Sequence, residues 1–168
     1  MLIDVNHEHK LKKEGYGQYN SATCWLSCYR MIYKWAGQDE TSIPSKLSAA
    51  GLNYKDLCTR GVYSEELPVA GSALKMCGWD GRTEKSKDDE SLVYKLQSYG
   101  PLFFTKDLGT GGHAILIVGF SVKSGNFTIY NPYNQFQVGT VEVDYATGKG
   151  LRQELHKERW SLQAWFGD

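Results

Sequence analysis

Apolar and polar positions change rhythm once along this chain, at Gly100-Pro101. Before that point apolar residues recur at the three- and four-residue spacing of helices; after it they alternate or cluster as in strands. From Cys24 to Ala36 the apolar set Trp25, Cys28, Tyr29, Met31, Ile32 and Trp35 predicts a helix. Ser21 or Thr23 suits its start and Gly37 its end. A short helix follows Pro44 and ends at Gly51. Another runs from Ser64 or Glu65 to Cys77, with Pro68 in its first turn and Gly78 as its stop. A further helix covers Asp88 to Tyr99, with Asp88, Asp89 and Glu90 at the positive end of its dipole. Met1 to Gln18 reads as irregular. The strands expected are Leu102–Phe104, His113–Phe120, Phe127–Tyr130, Phe136–Val143 and Trp160–Phe166. Ser124-Gly125-Asn126 makes the turn between the second and third.

Helices followed by antiparallel strands predict an α+β fold with a cleft between the two parts. No repeat or low-complexity linker divides the chain. Residues 1–168 are therefore read as one domain, helical over about 18–100 and β over about 101–168. Net charge is zero, which argues against a nucleic-acid partner. The longest apolar run, Ala114–Phe120, is too short to span a bilayer, so no membrane role is expected. Met1 to Glu14 is polar and lacks the apolar core of a signal peptide. That leaves a cytosolic protein or a domain of a longer chain.

The cysteines are Cys24, Cys28, Cys58 and Cys77. A Cys58–Cys77 disulfide and buried free thiols are both open readings. Neither the cysteines nor the histidines show the paired spacing of a metal site, so no metal and no cofactor are expected.

Cys24 stands where a helix N-terminus would lower a thiol pKa and generate the thiolate nucleophile. Cys28, one turn deeper, belongs to the apolar face. His7, His9 and His156 lie in charged stretches and read as solvated. His113 opens an apolar strand directly after Gly109-Thr110-Gly111-Gly112. It is either a strand-opening residue or the base that activates Cys24. Glycines such as Gly111 and Gly112 let a backbone approach a ligand. Asn131 ends the strand that pairs with the His113 strand. It starts a turn with Pro132, or it fixes the imidazole tautomer. Gln18, six residues before Cys24, carries an amide that can join the Cys24 N–H in an oxyanion site.

In combination these residues resemble the papain-like cysteine peptidases. Gln18, five residues, then Cys24-Trp25 looks like the papain-type nucleophile motif. Gly112-His113-Ala114 looks like its histidine motif, and Ile129-Tyr130-Asn131-Pro132 its third motif. The usual Cys-Gly-Ser-Cys-Trp string is absent, with Ser21-Ala22-Thr23 in its place. The compact pattern is similar to bacteriocin-processing (double-glycine) peptidases and to bacterial effector toxins. The resemblance implies a Cys24–His113–Asn131 triad with Gln18 as oxyanion donor, acting on a protein substrate. It further implies an effector secreted or delivered into a target cell, held in check by a cleft-blocking immunity or inhibitor protein. No propeptide is visible. Acyltransferase or transglutaminase-like chemistry, peptidoglycan amidase activity, leader processing and a catalytically dead binding module are the alternatives. Trp25, with Gly111 and Gly112, either lines a narrow substrate channel, which favours cleavage after small residues, Gly-Gly first, or only packs the helix, which leaves specificity to pockets for larger side chains further out.

Overall fold

Helical spacing from Cys24 onward produces α1, Cys24–Trp35, in the computed structural model, which describes residues 1–80, 89–107, 112–134, 137–144 and 160–167. Cys28, Tyr29, Met31, Ile32 and Tyr33 on it are completely buried. Thr23 occupies the N-cap position, but its hydroxyl donates to the Asn20 carbonyl at 3.2 Å and makes no cap bond. The first N–H groups of α1 are thus left without a side-chain cap. Three short helices follow: α2, Ile43–Ala49; α3, Tyr54–Arg60; and α4, Leu67–Ala73. The sequence reading missed α3, although Asn53 caps it by accepting from the Asp56 N–H at 3.1 Å.

The helix expected up to Cys77 is shorter than predicted. Pro68 does fall in the first turn of α4, but Lys75 adopts the left-handed conformation, φ 62°. The chain then enters a strand, β2, Met76–Asp80, so Gly78 lies inside a strand and stops nothing. The reason is tertiary: Cys77 pairs with Ala164 and Trp79 with Leu162, and this ladder outweighs local helical spacing. α5, Asp89–Tyr99, ends as expected at Gly100, φ 90°, whose N–H donates to Leu96 O.

The first strand, β1, Val5–Asn6, arises from the stretch read as irregular. The others are β3, Leu102–Asp107; β4, Gly112–Ser121; β5, Asn126–Asn134; β6, Gln137–Asp144; and β7, Trp160–Trp165. Phe136, expected to open β6, lies outside the described residues, as do Asp88 and His156. The sheet is antiparallel, in the order β2-β7-β3-β4-β5-β6, with β1 beside β4.

Alternation along β3 and β4 divides the core into two layers. Phe103, Ala114, Leu116 and Val118 pack with α1, α2 and α4. Leu102, Phe104 and Ile117 pack with α5 on the other side. Tyr29 stacks on Phe103, with ring centroids 4.4 Å apart. Its hydroxyl donates to Gln163 Oε1 at 2.6 Å, and Gln163 Nε2 donates to Leu67 O. α1 is thereby fixed against β3, β7 and α4, with its N-terminus at the mouth of β4.

All four cysteines are free, which removes the Cys58–Cys77 disulfide from the two open readings. Cys28 is fully buried, as its place on α1 implied. His7 departs from the expected solvated state. It is half-buried, donates through Nε2 to Leu96 O at 2.8 Å and meets Trp35 edge-on. Burial lowers its pKa, against the opposing effect of the Leu96 bond.

Candidate active site

The Cys24 sulfur lies between two elements that sequence distance separates widely. Cys24 opens α1, and the Ala114 N–H on β4 donates to its Sγ at 3.4 Å. The residue as a whole is 6% exposed. Burial raises the thiol pKa, while N–H groups of Ala114, Trp25 and Cys24 pull it down. Two of those donors are the uncapped N–H groups of the helix start.

His113 precedes Ala114 and is half-buried near the start of β4. Its Nε2 is 2.8 Å from Asn131 Oδ1. An amide oxygen only accepts, so Nε2 carries a ring proton, and Nδ1 is the ring nitrogen outside this bond. β4 and β5 pair with Leu116 opposite Tyr130, which brings His113 and Asn131 to the same end of the hairpin.

Gln18 is 7% exposed, and its N–H donates to Pro132 O at 2.8 Å. That bond ties the loop before α1 to the residue after Asn131. The Gln18 amide donates from Nε2 to Asn20 O at 3.0 Å; a primary amide nitrogen has a second N–H to offer. Gln18, Cys24, His113 and Asn131 thus form one connected cluster through Pro132 and Ala114.

The expected substrate-channel residues fare differently. Trp25 is 3% exposed and packs edge-on against Tyr29 and Tyr54. Its ring is in the core and does not wall an open channel, because the α1 apolar face claims it. Gly112 is exposed at the start of β4, and Gly111 lies outside the described residues. Two contributors escaped the sequence reading. One is Ala114, whose N–H reaches the Cys24 sulfur. The other is Asn20, whose side chain and backbone organise the turn before Cys24.

Residues 5–146 match the model of a family described as papain-like cysteine protease AvrRpt2. The chain belongs to this family. The matched span contains Gln18, Cys24, His113 and Asn131. The protease is also similar in fold to a solved structure from work on antibody cross reactivity between the mite allergens Blo t 1 and Der p 1. Identity is 14% and the TM-score 0.57, covering 97% of this chain and 70% of the other. No curated protein matches the chain. The fold is α+β and papain-like, and the enzyme is a papain-like cysteine protease.

Proposed function

We propose that this protease is an endopeptidase in which Cys24 is the nucleophile, His113 its base, Asn131 the residue that orients the base and Gln18 an oxyanion donor. The observation that carries the reading is the pair of contacts on consecutive β4 residues: Ala114 N–H at the Cys24 sulfur, and His113 Nε2 on Asn131. With Nε2 held, Nδ1 is the nitrogen that takes the thiol proton. The thiolate then attacks a peptide carbonyl, and the ring returns the proton to the leaving amine. The Cys24 N–H and the second Gln18 amide N–H receive the oxyanion. Water activated by the same ring hydrolyses the acyl-enzyme.

A protein substrate must bring its carbonyl to Cys24, a residue only 6% exposed. A residue with no side chain before the cut makes that approach with least obstruction. We therefore expect cleavage after small residues, glycine foremost. The inward Trp25 plays no part in this preference. Digestion of a protein lysate, with sequencing of new N-termini, tests activity and specificity together. New termini that follow glycine, present with the wild-type chain and missing with Cys24→Ala, are the expected result. Enrichment of large aliphatic, aromatic or basic residues before the cut defeats the glycine preference and leaves the triad standing.

Asn131 acts by position, because an amide takes no proton. Asn131→Ala is expected to lower kcat about tenfold to a thousandfold, short of the loss for Cys24→Ala. A loss as complete as for Cys24→Ala, in a folded protein, would give Asn131 a direct part in the chemistry.

The proposed setting is an effector secreted or delivered into a target cell. Support comes from the compact arrangement of the motifs on one small domain. An unrestrained endopeptidase endangers its producer, which is the reason to expect a partner protein that blocks the cleft.

A further inference from the structure

We infer that Asn20 is a positioning residue for the oxyanion site, setting the place of the Gln18 amide by tying the turn before Cys24 to α3. The inference rests on the role proposed for Gln18.

Asn20 makes polar contacts in every direction available to it. Its carbonyl accepts from Gln18 Nε2 at 3.0 Å, from Thr23 N–H at 3.3 Å and from Thr23 Oγ1 at 3.2 Å. Its N–H donates to Thr23 Oγ1 at 3.3 Å. Its side-chain Oδ1 accepts from Ala22 N–H at 2.8 Å, closing an Asx turn. Its Nδ2 donates to Cys58 O, near the end of α3, at 3.0 Å. The backbone of Asn20 thus holds the Gln18 amide and the Thr23 hydroxyl, while the side chain holds that backbone in place.

One effect follows from this arrangement. Capture of one Gln18 N–H by the Asn20 carbonyl orients the amide and points its other N–H in a fixed direction. The amide cannot turn over, because its oxygen would then face the Asn20 carbonyl oxygen. Among the described residues Gln18 has no other side-chain anchor, and its Oε1 is buried with no hydrogen-bond partner. Its direction depends on the Asn20 carbonyl, which the Asn20 side chain helps to hold through Ala22 N–H and Cys58 O. An oxyanion donor works only near its correct position, and a displacement of about 1 Å costs on the order of a hundredfold in rate.

Two variants test the inference, with a quenched-fluorescent copy of the peptide that the wild-type protease cuts fastest in the lysate digest. Asn20→Asp keeps the acceptor for Ala22 N–H and places an oxygen against Cys58 O. Asn20→Ser shortens the side chain and loses the reach to Cys58. Each is expected to lower kcat about tenfold to a hundredfold with KM within about twofold. Alkylation of Cys24 by iodoacetamide forms no oxyanion, so its rate should stay within about twofold of wild type. In a Gln18→Ala background, either substitution should lower kcat no further, since the group it positions is gone.

Unchanged kcat in both variants overturns the inference. So does a further loss of the same size in the Gln18→Ala background, which would separate Asn20 from Gln18. Alkylation slowed in step with kcat would assign the effect to the nucleophile or the fold. Gln18→Ala measured alone isolates the underlying reading: unchanged kcat there removes Gln18 from the oxyanion site, whatever the Asn20 variants do.

Discussion

Cys24→Ala is expected to abolish proteolysis and iodoacetamide labelling at this position while the chain still folds. The substitution removes a single sulfur atom and, with it, one weak contact from the Ala114 N–H. The stability cost is on the order of 1 kcal/mol. The rate cost is of another order, roughly 10⁴-fold to 10⁶-fold, because no other group can form the acyl-enzyme. Cys28 cannot take over, since it is completely buried and burial holds its thiol protonated well above the ordinary range. Retained turnover in Cys24→Ala would overturn the mechanism.

The same site carries a pH signature. Burial raises the Cys24 thiol pKa more than the three N–H groups lower it. With only those groups the sulfur stays a thiol at neutral pH, and labelling rises as pH passes upward through its pKa. An imidazolium beside it stabilises the thiolate and moves labelling to lower pH. His113→Ala should therefore shift the labelling profile toward higher pH. Identical profiles would remove His113 from the pair.

Gly100→Ala is expected to be among the most destabilising single substitutions in the protein, at about 3 kcal/mol. Two costs act together there. Gly100 has φ 90°, a conformation that L side chains rarely adopt. A Cβ at this position would lie 2.3 Å from Trp35 Cη2 and 2.7 Å from Cζ2 and Cζ3. An indole ring does not yield like the end of a lysine. Trp35 is also fixed by His7 on its edge and by Lys10 over its face. For a domain of this size the melting temperature should fall by roughly 10 °C. Thermal unfolding followed by circular dichroism measures it, and a fall of less than about 2 °C would show that α1 and α5 shift apart freely.

What the sequence disclosed depended on whether the deciding forces were local. α1, β4 and the β4–β5 hairpin were legible because apolar spacing, Gly37 and the turn before Asn126 all agree with the final packing. The same hairpin made the meeting of His113 and Asn131 foreseeable from chain order. β2 was misread because Lys75 to Trp79 carries no strand signal stronger than the helix before it. Only β7, far along the chain, makes it a strand. β1 is two residues long and gains its partner only across the fold, from Phe120 and Gly119. Trp25 was placed in the cleft on adjacency to Cys24, but one step along a helix turns a side chain by about 100°. Asn20 left no pattern, since its role depends on the Cys58 carbonyl, which only the folded chain brings near.

The position of β7 also bears on how the enzyme comes into being. β7 enters the sheet between β2 and β3, and Met76 waits for Trp165 as its partner. Until that strand is made, β2 has nothing to pair with, and Tyr29 of α1 lacks the Gln163 amide that anchors its hydroxyl. Such long-range pairings make folding slow, because chain closure precedes the contacts that reward it. A nascent chain that stops short of β7 carries Cys24, His113 and Asn131 without the strand that holds their scaffold together.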